Sequence, residues 1–428
     1  MRIVIWHGYL LGGTGSNVYT RSLARTWSRQ GHDVVVLCQD PHPARYDLGG
    51  ARIVRPQLHG PLPVFVLDRY EGAEPVLLGD MDATDRQRFV EDNAAAVRAE
   101  LPADLLLVNH VLLGAPVGAA LGVPFVVKVH GSELEYAMRG NAELTRWAAK
   151  TLSAATALIA GSDHITGVLD ELVGPPHLPA RTEVIPPGVD VEMLRPRPRD
   201  EALAGLVEES RRDAPNPVDD HDERAPDEGN AERFARFLAD PAPTVLYVGK
   251  LSEEKGVGLL LEAMRTVDAR LVVVGFGPAR ATLEQQADDR VLLTGPLEHR
   301  HLRYLWPLAD VAVTPSVFPE AFGMVAAEAA ACGCPPLVAR HSGLAEIATR
   351  LEASYPAELR HLASFATGDV TDLRRTLTEL ISLSAPDHRR LEQAARATAI
   401  AAWSWEGVAD RIIALGAAGT QQATDPRS

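Results

Sequence analysis

Only four lysines, Lys128, Lys150, Lys250 and Lys255, stand among the 42 cationic side chains of this sequence. Arginine serves wherever any cation suffices, so a surviving lysine marks a place that wants a compact ammonium on a flexible stem. Two of the four lie five residues apart in Gly249-Lys250-Leu251-Ser252-Glu253-Glu254-Lys255-Gly256, a spacing that suits a diphosphate. The competing reading is a solvated loop whose lysines pair with Glu253 and Glu254. Further along, Glu320 and Glu328 are eight positions apart in Pro319-Glu320-Ala321-Phe322-Gly323-Met324-Val325-Ala326-Ala327-Glu328. An Ala-rich helix from Phe322 to Ala331 would put Glu320 just outside its N-terminus and Glu328 in its second turn, roughly 12 Å away at 1.5 Å per residue. That is about the span from sugar to ribose in a nucleotide-diphosphate sugar. The unpaired N–H groups of the first turn, at Phe322, Gly323, Met324 and Val325, would face the phosphates between them. More plainly, Glu320 could stabilise the helix dipole and Glu328 could be solvated. Glu328 lies in Val-Ala-Ala-Glu-Ala-Ala-Ala, however, and a carboxylate in so apolar a stretch requires a partner.

Other features carry less on their own. Gly275-Phe276-Gly277-Pro278 is a G-x-G that could cradle a phosphate or simply turn the chain. Gly12-Gly13-Thr14-Gly15-Ser16 follows an apolar run and opens a helix, so its backbone could approach a phosphate or sugar, with Gly13 at the centre. His130, and less securely His7 and His110, each follow a strand-like run. Asp80-Met81-Asp82 could bind a metal but reads better as a helix entry. Asp220-His221-Asp222 lies in an acidic stretch, and Cys332 and Cys334 lack the second ligand pair that zinc requires.

The elements that must position these residues alternate. Strand-like runs at 2–6, 34–38, 105–108, 125–129, 157–160 and 183–185 are separated by helical stretches such as Asp85–Leu101. The alternation halts near Leu194–Pro198 and resumes at 244–248, 270–274, 291–293, 311–314 and 336–338. This is the pattern of α/β domains with parallel sheets, and 428 residues allow more than one at about 150 residues each. We expect a Rossmann-like domain over 1–197, an acidic and partly disordered linker or insertion over 198–240, and a second Rossmann-like domain over 241–400. A helix over 401–416 and a frayed tail over 417–428 complete the chain. The segment 198–240 carries −7 of the net −15; within it, a helix is expected at about Asp200–Arg212 and disorder over Pro215–Asn230. In open parallel sheets ligands bind beyond the carboxyl ends of the strands, where the loops singled out above must fall. The net negative charge argues against nucleic acid as a partner, no apolar run is long enough to span a membrane, and the first strand leaves no room for a signal peptide. Three cysteines fit a reducing, cytoplasmic setting.

Taken together, Val248-Gly249-Lys250-Leu251 through Lys255-Gly256, Val274-Gly275-Phe276-Gly277-Pro278 and the E-x7-E of Glu320 and Glu328 resemble the retaining glycosyltransferases of family 4. In the first half, Gly12-Gly13 with Asn17, His130-Gly131-Ser132 and Val184-Ile185-Pro186-Pro187-Gly188-Val189-Asp190 resemble motifs of the same family, as does Trp405-Glu406 near the end. The resemblance implies the GT-B fold, two Rossmann-like domains facing a central cleft with the last helix crossing back to the first. It also implies roles: Lys250 and Lys255 on the donor diphosphate, Glu320 facing the donor sugar, Glu328 on the ribose hydroxyls, His130 catalytic, and Gly295-Pro296-Leu297 near the nucleobase. Lys250 stands where many relatives have arginine, and about Leu351–Phe365 is extra.

The expected activity is transfer of a sugar from a nucleotide-diphosphate sugar to a sugar-like or small-metabolite acceptor, with retention of configuration and without metal or other cofactor. The frequency of uridine donors in the family favours UDP. Monomer and homodimer are both open. Three alternatives remain: a nucleotide-sugar epimerase, a non-catalytic sugar-nucleotide binder, and a dinucleotide oxidoreductase, which would want G-x-G-x-x-G after residues 2–6.

Overall fold

Runs such as Ile3-Val4-Ile5 and Leu271-Val272-Val273-Val274 are apolar at every position, as strands buried on both faces of a parallel sheet must be. The structure, a computed structural model, describes residues 1–67, 70–217, 219 and 221–423, with side chains to residue 417 in the last helix. The chain divides into two units, Met1–Gly188 with Trp405 onward, and Val189–Ser404.

In unit 1 the strands are β1 (Arg2–Trp6), β2 (Asp33–Leu37), β3 (Arg52–Val54), β4 (Leu62–Val64), β5 (Pro75–Leu77), β6 (Leu105–Asn109), β7 (Val126–Lys128), β8 (Ala157–Ala160) and β9 (Thr182–Val184). Seven form a parallel sheet in the order β3-β2-β1-β6-β7-β8-β9, and β4 and β5 pair separately. Successive side chains point to opposite faces, and the core divides accordingly. Val4, Trp6, Val35, Leu37, Leu106 and Val108 pack on one side. Ile3, Ile5, Val34, Val36, Leu105 and Leu107 pack on the other, against Tyr19, Leu23 and Trp27 of helix Gly15–Arg29 and Trp405, Val408, Ile412 and Leu415 of helix Trp405–Ala423.

Unit 2 contains β10 (Thr244–Val248), β11 (Arg270–Val274), β12 (Val291–Leu293), β13 (Val311–Thr314), β14 (Pro336–Ala339) and β15 (Ser364–Phe365). The order is β12-β11-β10-β13-β14-β15, all parallel. In both sheets the winding direction reverses at one strand: β1 lies between β2 and β6, and β10 between β11 and β13. Loops leaving such a switch point diverge and open a crevice.

Several boundaries differ from those read in the sequence. The first unit ends at Gly188, not 197, and 198–240 belongs to unit 2. The helix expected at Asp200–Arg212 forms at Arg199–Ser210 and is followed by a second, Asn230–Phe237, with Leu206 and Phe234 fully buried. Described residues of the stretch expected to be disordered are instead tied down: Asp227 pairs with Arg280 and Arg233, and the Asn230 amide donates to Thr294 O at 2.8 Å. Composition registers the charges and not their partners, which lie up to 53 positions away. The closing helix runs to Ala423, past the expected end at 416. Residues 424–428 and Asp220 lie outside the described residues. The residues around 351–365 form the end of helix Ser342–Ser354, a 3-10 turn (Ala357–Ala363) and edge strand β15.

Candidate active site

Four loops at the carboxyl ends of the unit 2 strands lock together backbone to backbone, and glycine is what lets them. A Cβ on Gly256 (φ +67°) would lie 2.0 Å from Pro315 O, and one on Gly275 (φ +143°) 1.8 Å from Gly249 O. Both residues therefore need glycine for space as well as for conformation. Leu251 N–H donates to Phe276 O at 2.8 Å, and Gly275 N–H to Gly295 O at 3.0 Å, carrying the contact outward to Gly295, Pro296 and Leu297. Glu254 O accepts the N–H groups of Val317 and Phe318 at 2.9 and 3.2 Å, which seats the lysine loop on the chain before Glu320.

This seating brings Lys255 Nζ to Glu320 Oε1 at 2.5 Å. Lys255 thus finds its carboxylate 65 positions away, not in Glu253 or Glu254, and the solvated-loop reading does not hold for it. Glu320 is fixed from a second side. Its N–H donates to Ser342 Oγ (2.9 Å), Ser342 Oγ–H donates to His341 Nδ1 (3.0 Å), and His341 Nε2–H donates to Ser316 O (2.7 Å). Gly343 N–H donates to Glu320 O at 3.0 Å. Ser342 adopts φ +46°, the left-handed region that costs a non-glycine residue about 1 kcal/mol or more. Lys250 is exposed, its carbonyl held by the Tyr247 hydroxyl at 2.7 Å.

The helix after Glu320 begins at Met324, two residues later than the sequence indicates, because Gly323 (φ +116°) stands at its N-cap and Phe322 packs edge-on against Trp403. Gly323, Met324 and Val325 therefore supply the N–H groups at its start, and Phe322 lends its ring to the core. Glu328 is 7 % exposed and accepts from His299 Nε2 at 3.0 Å, the partner that its apolar surroundings demand. His299 opens helix His299–Leu305, and no periodicity in the sequence links it to Glu328.

Unit 1 gathers a second polar set around its own switch point. His7, at the end of β1, donates from Nε2 to Asn17 Oδ1 at 2.8 Å. His130, after β7, donates from Nε2 to Asn109 Oδ1 at 2.8 Å. His110, after β6, adopts φ +73° and lies 4.6 Å from His130 between ring centroids. Burial holds all three imidazoles in the neutral form, with His7 pushed down to about 4 and His130 lowered further by the neighbouring His110 and Lys128. Beneath them the fully buried Glu133 accepts from Val111 N–H (2.6 Å), Leu112 N–H (3.3 Å) and His130 N–H (3.0 Å). Burial outweighs these three donors and pushes its carboxyl up to about 8. Sequence reasoning missed Glu133, although its place three residues after His130 is capping-box spacing.

The chain from Leu11 to Gly13 is braced by Asp40, whose Oδ2 accepts Leu11 N–H at 2.9 Å. Tyr46 OH would lie 2.3 Å from a Cβ on Gly12, whereas Gly13 (φ +90°) faces open space. Beside them runs an open groove of about 750 Å³, lined by Asp40, Arg45, Tyr46, Tyr70 and Glu71 among others. Asp82 caps helix Ala83–Arg98 by accepting Asp85 N–H at 2.8 Å, the helix-entry role read for Asp80-Met81-Asp82. Cys332 and Cys334 are buried free thiols in the core of unit 2. Among the described residues no helix is long and apolar enough to cross a membrane.

Comparison with known proteins gives matches over both units. Residues 13–193 match the family described as Glycosyltransferase Family 4, and residues 229–398 match Glycosyl transferases group 1. A D-inositol 3-phosphate glycosyltransferase of Xylanimonas cellulosilytica is 32% identical over 175 residues, 38% of this chain and 36% of that one. A GDP-mannose-dependent alpha-(1-6)-phosphatidylinositol dimannoside mannosyltransferase of Mycobacterium tuberculosis is 34% identical over 193 residues, 43% of this chain and 47% of that one. The chain thus spans less than half the length of these curated relatives. Among solved structures, sucrose-phosphate synthase of Thermosynechococcus elongatus superposes with TM-score 0.71 at 20% identity, covering 99% of this chain and 100% of that one. Anabaena HepE in complex with UDP gives TM-score 0.67 at 17% identity, with coverage of 99% and 100%. These likenesses are of fold, and the fold is GT-B.

Proposed function

Since the chain belongs to family 4 of the glycosyltransferases, we propose that it transfers a hexose from a nucleotide-diphosphate sugar to a hydroxylated acceptor with retention of anomeric configuration. The observation that carries this reading is the placement of Lys255, Glu320, the start of helix Met324–Ala331 and Glu328 on locked loops of one unit. Lys250, Lys255 and the N–H groups of Gly323, Met324 and Val325 supply positive charge where a diphosphate leaving group gains negative charge, and preorganised donors of this kind stabilise the transition state. The leaving diphosphate takes the acceptor's proton on the face it departs from. Glu320 faces the sugar, Glu328 takes the ribose hydroxyls, and Gly295, Pro296 and Leu297 border the base. Unit 1 recognises the acceptor, with His130 held neutral and its single N–H already given to Asn109.

The reading needs no divalent metal, since the lysines and the helix start already offer cationic stabilisation to the diphosphate. Uridine is the favoured base. The curated relatives include GDP-mannose-dependent enzymes, which makes guanosine the competing arm. The test is nucleotide release from UDP-, GDP- and ADP-sugars, with and without acceptor and in excess EDTA, followed by NMR of the product's anomeric proton. Binding without release, epimerised donor without acceptor, abolition by EDTA or an inverted product would each overturn the corresponding part.

A further inference from the structure

The acidic segment before β10 docks on the loops assigned to the donor, and one carboxylate does most of the docking. Asp227 N–H donates to Thr294 O at 3.0 Å, and its Oδ1 lies 2.7 Å from where a Cβ on Gly295 would sit. Its carboxylate takes both arms of the Arg280 guanidinium, Nη1 on Oδ1 at 2.9 Å and Nη2 on Oδ2 at 2.7 Å. Arg280 begins the helix that follows Gly275-Phe276-Gly277-Pro278. Arg233 Nη1 reaches the same carboxylate at 3.3 Å, and Arg224 lies over the Phe276 ring at 5.8 Å. Bidentate guanidinium–carboxylate pairing fixes orientation as well as distance, so Asp227 ties the glycine loop after β11 to the loop after β12.

The turn that presents Asp227 is itself built. The Asn216 side chain, 4 % exposed, accepts Asp222 N–H at 2.8 Å and donates to Asp222 O and Pro226 O, both at 3.0 Å. The same segment also braces the helix that holds His299. Asp213 Oδ1 accepts from His301 Nε2 at 3.0 Å, and Glu209 Oε1 from Arg303 Nη2 at 3.1 Å.

We propose that Asp227 is a positioning residue for the donor nucleotide, holding the 275–278 and 294–297 loops at the separation that the base and diphosphate require. The proposal rests on the donor-site reading above and extends it to a segment outside every motif of the resemblance. Asp227→Asn keeps the side chain's shape and removes its charge, and Asp227→Ala removes both. Asp288→Asn, which breaks the exposed Asp288–Arg290 pair elsewhere in unit 2, is the control for loss of a carboxylate.

The measurements are UDP, GDP and ADP binding by calorimetry, kcat and KM for the donor, and amide hydrogen exchange. Wild type and control should bind alike. Both Asp227 variants should weaken binding roughly ten-fold, the order of one lost charge-assisted contact. KM for the donor should rise by a similar factor with kcat kept at saturation, and exchange should quicken at 275–279 and 294–297. Quickened exchange with unchanged affinity and KM would overturn the positioning role and leave the site reading intact, as would an equal loss in kcat. A wild type that binds none of UDP, GDP and ADP would overturn the site reading itself, and this proposal with it.

Discussion

At the residue scale, Lys255 and Glu320 illustrate a pair whose worth lies in placement. Side chains 33 % and 20 % exposed leave such a pair little net stabilising energy, of the order of 1 kcal/mol or less. Lys255→Ala should therefore keep the thermal midpoint within a few degrees and lose about 10²–10³ in turnover, as loss of one preorganised electrostatic contact does. Normal turnover would remove Lys255 from the site. On the proposed ribose role, Glu328→Ala should instead weaken donor binding, because such contacts are shared by ground and transition states. Both residues were legible in the sequence from lysine scarcity and from a carboxylate in an apolar run. His299, Ser342 and Asp227 were not, since each acts through a partner remote in the chain. Lys128 shows the opposite balance. Its ammonium is buried, donating to Ile185 O (3.3 Å) and lying over the Tyr19 ring (5.1 Å), and burial pushes it from 10.5 down to about 7. The folded state thus disfavours the charged form that the unfolded chain keeps to about pH 10.5. The penalty is full below pH 7 and fades as pH rises towards 10.5. Lys128→Met should raise the thermal midpoint most near pH 6 and least near pH 10. A gain that grows with pH would refute this account.

Elements place these residues through backbone contacts that a side chain would spoil. Strands such as β10 and β11 were legible because an all-apolar, β-branched run has few other fates. Strands β3, β4 and β5 were not: β4 and β5 contain Pro63 and Pro75, which argue against a strand in sequence, and β3 offers only Ile53 and Val54 after Arg52. The start of the helix after Glu320 was misplaced because Phe322 reads as helical while Gly323 adopts a conformation that a sequence does not display. Gly256 and Gly13 make the comparison testable. Each has positive φ, but a Cβ on Gly256 meets the Pro315 carbonyl at 2.0 Å whereas one on Gly13 meets nothing within 4 Å. Gly13→Ala should cost about 1 kcal/mol, the conformational term alone. Gly256→Ala must push the 253–256 turn off the 315–318 backbone, parting Lys255 from Glu320, so its turnover should fall towards that of Lys255→Ala. Wild-type turnover in Gly256→Ala would show that the locking of loops does not position the lysine.

At the scale of the whole molecule, the chain closes unit 1 with residues from its far end. Helix Trp405–Ala423 follows all of unit 2 in sequence yet covers one face of the unit 1 sheet. The stripe of Trp405, Val408, Ile412 and Leu415 was legible from its spacing of three and four, although the helix's full length was not. Trp405 packs so closely that a Cβ on Gly188 would lie 2.4 Å from its ring, and Trp27 Nε1 donates to Ala409 O at 3.3 Å. Four large side chains buried at about 1.5–3 kcal/mol each, an upper bound set against an extended chain, compare with the roughly 5–15 kcal/mol that holds a domain together. A chain ending at Ser404 should therefore lose the cooperative unfolding of unit 1 or show it at a much lower temperature. Unit 2 has its own core and contains the residues proposed to bind the donor, so its transition should persist and, on that proposal, so should nucleoside-diphosphate binding. A synthetic peptide of residues 405–423 added in trans should restore the missing transition, because it returns the apolar stripe that completes the Ile3, Ile5, Val34, Val36, Leu105 and Leu107 face of the sheet. Calorimetry of the truncated chain, with and without the peptide, decides the matter. A unit 1 transition unmoved by truncation would mean that the sheet face is covered without the helix, and loss of both transitions would mean that the two units do not fold separately.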